Sequence, residues 1–184
     1  MKKTTVDFKT LVLPMPAVLL GVIVEDKINF MTASWCGVAG QAPPSVSIAV
    51  RKGRHSMKGI EEHGTFSINI ASTSLAKEVD YCGIYSGNLE DKSKLFETFN
   101  GVLKTAPLIS LCPVNMECRV LHTLDMGSHW LVVGEIVETH VSEACLTNGQ
   151  PDPDKIDPIV WVPVARCYRK LGPVIGKGYS IGKK

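Results

Sequence analysis

A chain of 184 residues is long enough to bury a core of its own and short enough to form one domain. Hydrophobic residues make up 45% and charged residues 21%, which excludes a disordered chain, and a formal net charge of +2 is too small for a nucleic-acid footprint. The cysteines Cys36, Cys82, Cys112, Cys118, Cys145 and Cys167 form no C-x-x-C pair, so no zinc or iron–sulfur ligand set is assigned. A domain of this size needs no disulfide staples, so they read as reduced thiols and a cytoplasmic address. The apolar run after Pro16 stops at Glu25-Asp26, too short to cross a bilayer, and Asp7, Lys9, Pro14 and Pro16 break any leader pattern before it.

Residues 17–24 are continuous apolar β-formers, as in a buried strand. Glu25-Asp26-Lys27 is a polar turn, and Ile28 to Ala33 returns as the hairpin partner. A polar turn and a loop closed by Pro43-Pro44 follow, then a strand over 45–50. Arg51-Lys52-Gly53-Arg54-His55 opens a short helix over 57–63, with Ser56 as its N-cap and Gly64 as its C-cap. Phe66 to Ile70 alternates strictly, which predicts a strand with one face buried. Ser72-Thr73-Ser74 starts a second helix, with Leu75, Val79 and Cys82 on one face and Gly83 at its end. Residues 84–110 are irregular, with a short helical patch around Leu95, Phe96 and Phe99; so long an insertion points to function or an interface. Two long strands, 114–122 and 129–141, flank turn residues Asp125-Met126-Gly127. A surface loop covers 148–153, a last strand starts at Ile159, and the glycine-rich tail from Gly172 holds little that packs. Many strands, few short helices and no βαβ alternation predict a mainly β protein, an antiparallel β-barrel with short helices.

The chemistry concentrates between Ile28 and Ile60. A helix N-terminus presents free N–H groups and partial positive charge, so Arg51, Lys52, Arg54 and His55 beside Ser56 suit a phosphate. Asn29, Thr32 and Ser34 interrupt an otherwise apolar hairpin, and Trp35 follows directly. The order N-x-x-T-A-x-W, P-P, strand, R-x-x-R-x-S resembles the flavin reductase-like family of FMN-binding split β-barrels, the flavoredoxin-like group. Further matches are Ser86-Gly87 with Asp91-Lys92, Ala106-Pro107-Leu108-Ile109, Glu117-Cys118, Gly127-Ser128-His129, Val133-Gly134-Glu135, and Tyr168 before Leu171-Gly172. The likeness spans residues 14–173, within what is expected to be a single domain covering 1–184 with a flexible tail, 174–184.

The resemblance implies a split barrel of Greek-key topology that binds FMN and works as a homodimer. It implies phosphate ligation by Arg54 and Ser56, with Arg51, Lys52 and His55 as helpers. Asn29, Thr32, Ala33, Ser34, Trp35 and Val50 would face the ring and ribityl chain. Ser86, Gly87 and Lys92 would form the loop that closes over the cofactor. His129 would lie near the flavin or an incoming nicotinamide, although Ser128 stands where relatives often carry the aspartate that would orient it. Cys36 is either a packing residue or, with His129, a holder of an electron acceptor such as a metal ion. A G-x-G-x-x-G fingerprint is absent, so NAD(P)H would dock onto the flavin itself. The implied activity is transfer of electrons from NAD(P)H through FMN to a small-molecule or protein acceptor. A flavin-binding electron carrier and a non-redox barrel for another anionic small molecule remain the alternatives.

Overall fold

A computed structural model describes residues 1–183. Strand β1 (Val18–Val24) turns through Glu25 and Asp26, both at positive φ (49° and 62°), into β2 (Lys27–Ala33). Two consecutive left-handed residues make a tight turn whose twist matches the flanking strands. The segment expected to be a turn and loop instead contains a strand, β3 (Cys36–Gln41), paired antiparallel with β4 (Pro44–Arg51). Its side chains are mostly exposed, so hydrophobic periodicity could not reveal it. Then follow α1 (Ser56–His63), β5 (Thr65–Ile70), α2 (Ala76–Ile84), β6 (Val114–Asp125) and β7 (His129–Val141). The chain closes with a short α3 (Pro153–Ile156), β8 (Val160–Val162) and β9 (Cys167–Arg169).

The main sheet has seven antiparallel strands in the order β2-β1-β5-β6-β7-β4-β3. Pairing of β1 with β5 and of β4 with β7 skips intervening strands, which is the Greek-key feature. The two outer strands of the ladder, β2 and β3, are consecutive in the chain and joined only through Ser34-Trp35. The sheet wraps a single interior core, and its hydrogen bonding is open at that seam: this is a split β-barrel. Val18, Leu20, Val22 and Val24 face the interior with Met31, Val46, Ile48, Phe66, Ile68 and Val132. Leu19 points the other way and packs with Phe30, Leu75, Val79, Cys82, Phe96 and Ile109 under α2. Both faces of β1 are therefore buried, as its unbroken apolar sequence requires.

Three local expectations change. Ser56 is the first residue of α1, not its cap; His55 holds the cap position in helical conformation without a side-chain cap bond. The second helix begins as a 3-10 turn at Thr73–Leu75 and runs through Gly83 to Ile84. No helix forms around Leu95 to Phe99. Phe96 instead packs edge-on against Phe30, with ring centroids 5.4 Å apart, and Thr98–Phe99 pairs with Leu108–Ile109.

Alternation along β5 predicted one buried face, yet both are buried. Its polar face, Ser67 and Asn69, is covered by residues 107–109. The Asn69 amide donates to the Leu19 carbonyl (3.1 Å) and the Ser67 hydroxyl (2.9 Å). Its oxygen accepts from the Ile109 N–H (3.0 Å) and the Asn115 amide (2.7 Å). Every hydrogen-bonding position of this side chain is used, so a polar group in the core carries little desolvation cost.

Helix α1 seats Met57 and Ile60 in the barrel core. Gly59 lies against β1 so closely that a Cβ there would overlap the Ile23 carbonyl and press on Val22 and Val24. Gly59→Ala is expected to lower stability by about 1–3 kcal/mol through overpacking, read as a lower urea midpoint with an unchanged slope.

Candidate functional site

The chain leaves β4 through Gly53 (φ 84°) and enters α1 at Arg54, His55 and Ser56. Asn29, Met31, Arg54, His55, Ser56, Tyr85, Ser86, Gly87 and Lys92 line one depression. Three segments meet there: the start of α1, the loop after α2, and β2. Arg54 is anchored by a guanidinium hydrogen bond to the Gly83 carbonyl (3.4 Å) at the end of α2. The Lys92 amine donates to the Tyr85 carbonyl (3.0 Å), and this lysine is only 3% exposed. Burial holds its amine below the ordinary lysine value, and the nearby Arg54 charge pushes the same way.

The chemistry of the lining is one-sided. Arg54 and Lys92 are cations, Ser56 and Ser86 carry hydroxyls, and no carboxylate belongs to it. The helix terminus itself offers less than the sequence implied. The Met57 and Lys58 N–H groups are taken by the Arg54 and His55 carbonyls (3.1 Å each), leaving the charged side chains as the main attraction. Asn29 donates to the Ser56 hydroxyl (2.9 Å), while its own buried oxygen has no partner. Turning the amide over lets Ser56 donate to the oxygen and aims the NH2 donors into the depression. Gly87 closes the wall: a Cβ there would overlap both Asn29 and His55. A buried amide awaiting a partner, two cations and two hydroxyls have the chemistry for an anionic group such as a phosphate monoester, but the depression is closed in this structure and its walls must part to admit one.

A second group sits beyond the other end of β2, roughly 13 Å along the strand from Asn29 to Ala33. The Trp35 indole stacks on the His129 ring, with centroids 4.7 Å apart and planes at 28°. His129 Nδ1 lies 2.8 Å from the Ser128 hydroxyl. Ser128 thus supplies the orienting partner whose loss the sequence suggested. Ser34, Trp35 and Cys36 face Val12, Pro14 and Met15 across an apolar cleft of about 350 Å³.

The remaining expected residues divide. His55 lines the depression and meets Asn88 through Nδ1 (2.9 Å). The Thr32 hydroxyl donates to the Val79 carbonyl, which docks β2 onto α2. Val50 and Ala33 are buried, Val50 wholly so, and both belong to the barrel core. Arg51 is exposed and pairs in register with His129. Lys52 is drawn away from Arg54: its amine lies 2.6 Å from Asp125 and 4.7 Å from the Trp130 ring centroid. Cys36 packs against the barrel core, and burial pushes its thiol up to about 12, so it is no ready thiolate. The structure sets Trp35, rather than Cys36, against His129. Met31 and Tyr85 were missed. Met31 was legible as the residue two beyond Asn29 on the same face of a strand; Tyr85 left no signal.

The profile of the flavin reductase like domain matches residues 11–164. Flavoredoxin from Methanosarcina acetivorans is 38% identical, covers 100% of this chain and 98% of its own, and superposes with a TM-score of 0.96. Flavoredoxin of Desulfovibrio vulgaris (Miyazaki F) is 35% identical over 99% of this chain and 100% of its own, with a TM-score of 0.91. The FMN-binding protein from Thermus thermophilus, 22% identical over 92% of this chain and 96% of its own, shares the fold with a TM-score of 0.79. The fold is that of the flavin reductase-type split barrels. This chain belongs to the flavin reductase like domain family.

Because the folded protein disfavours protonated Lys92, this group opposes folding below its folded value, and the opposition fades as pH rises toward the unfolded value of 10.5. Lys92→Met removes the effect. Wild type is therefore expected to gain stability relative to Lys92→Met as pH rises toward 10.5, checked by paired urea titrations of the flavin-free proteins.

Proposed function

We propose that the chain binds FMN and passes electrons from NAD(P)H through it to a small-molecule or protein acceptor. The observation that carries this reading is the pairing of an anion pocket with an aromatic, apolar surface at opposite ends of β2. Arg54, Lys92, Ser56 and Ser86 would take the phosphate. Ser34 and Trp35 would meet the ring, with backbone groups of the open β2–β3 seam available to its polar edge. Nothing in the pocket offers a recognisable adenine site, which favours FMN over FAD. A bound flavin would supply hydride acceptance and onward electron transfer.

The protein's part is to hold, orient and exclude. Arg54 and Lys92 balance the phosphate charge in a partly desolvated pocket, where Coulomb attraction is stronger than in water. Ser128 holds His129 through Nδ1 and so orients its ring on the Trp35 face. Family membership supports a homodimer, and exposed Trp35 and Val38 on the seam and outer strand are the surface such a partner would cover. The six cysteines are all free thiols, and no helix among the described residues is long and apolar enough to cross a membrane. Both are consistent with a cytoplasmic address.

The deciding experiment is reconstitution with FMN, desalting and anaerobic titration with NADH, then NADPH. Bleaching of retained yellow colour by either donor is expected. Retained colour that neither donor bleaches would reduce the protein to a carrier served by another reductase. Arg54→Ala should weaken FMN binding by about 1.5–3 kcal/mol, the range for a charge-assisted hydrogen bond. Unchanged affinity in a fluorescence titration would remove Arg54 from the phosphate site.

A further inference from the structure

The far end of β7 carries a second cluster that flavin chemistry does not use. Glu138 and His140 alternate onto one face of β7, and Glu138 stands directly opposite Glu117 of β6 in the ladder. Glu117 is completely buried. Its two oxygens accept the Val102 and Leu103 N–H groups (2.9 Å each), where the insertion after α2 returns to the barrel. His140 Nε2 lies 3.8 Å from Glu117 and 3.2 Å from Glu138, is itself buried, and makes no hydrogen bond. The Phe99 ring packs edge-on to the imidazole at 5.4 Å and fixes its plane.

Two carboxylates facing each other across a ladder repel, and a cation between them removes the repulsion. Among the described residues no lysine or arginine fills that role; the nearby Lys104 amine is spent on the Gly101 carbonyl (2.9 Å). We propose that Glu117, Glu138 and His140 form a binding site for a divalent transition-metal cation, separate from the flavin pocket. The three ligand atoms already lie within 4.8 Å of one another. Ligands about 2.0–2.2 Å from one ion are at most about 4.4 Å apart, so closure needs only a small movement of the half-exposed Glu138. One imidazole and two carboxylates suit manganese, iron or zinc, with water completing the shell. Gly101 permits the approach: a Cβ there would overlap Glu117 and crowd His140 Nε2. The cation would clamp the Gly101–Leu103 return to β7, roughly 35 Å of strand from His129. Its role is structural.

Mn2+ is the probe, because it prefers oxygen ligands and avoids the cysteines. Chelator-treated full-length protein is titrated with Mn2+, with bound ion read from loss of the free-ion EPR signal and the melting temperature followed in parallel. One saturable equivalent is expected, with a raised melting temperature. Glu138→Gln and His140→Ala should each weaken binding at least about tenfold and abolish the thermal shift. Glu138 is half-exposed and its neutralisation relieves the repulsion from Glu117, so Glu138→Gln should not lower the metal-free melting temperature and its loss of binding is not loss of fold. No saturable Mn2+ binding in wild type overturns the site. Wild-type affinity in either variant overturns the three-ligand set.

Discussion

The pocket depends on a hydrogen-bonded side chain that never touches it. Asn69 lies next to the last residue of β5 with all four of its positions satisfied. Two bonds hold it to the barrel, through Leu19 and Ser67, and one reaches Ile109 in the insertion. Asn115 reinforces the same link by donating to the Ile109 carbonyl (3.0 Å), and the Ser67 hydroxyl donates to the Pro107 carbonyl. The insertion after α2 carries Ser86, Gly87 and Lys92 but contributes little regular structure. It therefore cannot fix its own position. Phe96, seated on Phe30, holds its middle, and the Asn69 network holds its return. A buried network that is fully satisfied specifies one arrangement, because any shift leaves a donor or acceptor unpaired in a low-dielectric core.

That anchoring explains how an unfavourable charge is kept in place. Lys92 is buried with one carbonyl partner and no carboxylate. An isolated lysine so placed would swing into solvent. Here the backbone on both sides of it is tied: Leu95 donates back to the Lys92 carbonyl (3.1 Å), and Glu90 donates to Ser86 (2.9 Å). The cation is presented where a dianion would relieve the desolvation that burial imposes.

How much of this was visible in the sequence varies with the physics behind each part. The barrel strands were legible because burial writes itself as apolar runs and alternation, as in Val18–Val24 and Phe66–Ile70. The outer strand Cys36–Gln41 was not, because an edge strand with solvent on both faces has no such pattern. Arg54, His55, Ser56, Ser86, Gly87 and Lys92 were expected together and do line one depression. Lys52 was expected there too, but its direction is set by Asp125 and the Trp130 face, residues more than seventy positions away. Charge composition locates a basic loop; only the fold decides which charges face inward. The pairing of Glu117 with Glu138 was hidden for the same reason, since a bulge between Ile136 and Glu138 sets the register.

The division of labour along β2 bears on how tightly and how fast a ligand is held. At the Asn29 end the groups are charged, partly buried and tied to the fold through the Gly83 and Tyr85 carbonyls. Preorganised charges bind without a fresh cost in conformational entropy, and in a partly desolvated pocket they are screened less than on the surface. At the Trp35 end the surface is apolar, open and 43% exposed at the indole. Its contribution grows with the area covered, so it is incomplete until a ligand ring, a second substrate or a partner subunit lies over it. On the proposed reading, one end would retain a phosphate-bearing ligand while the other would leave a face accessible for exchange. A pocket closed at both ends would hold its ligand but admit no reaction partner. One open at both ends would lose the ligand at each turnover. The open seam between β2 and β3 places that accessible face at the one position where the barrel's own hydrogen bonding stops.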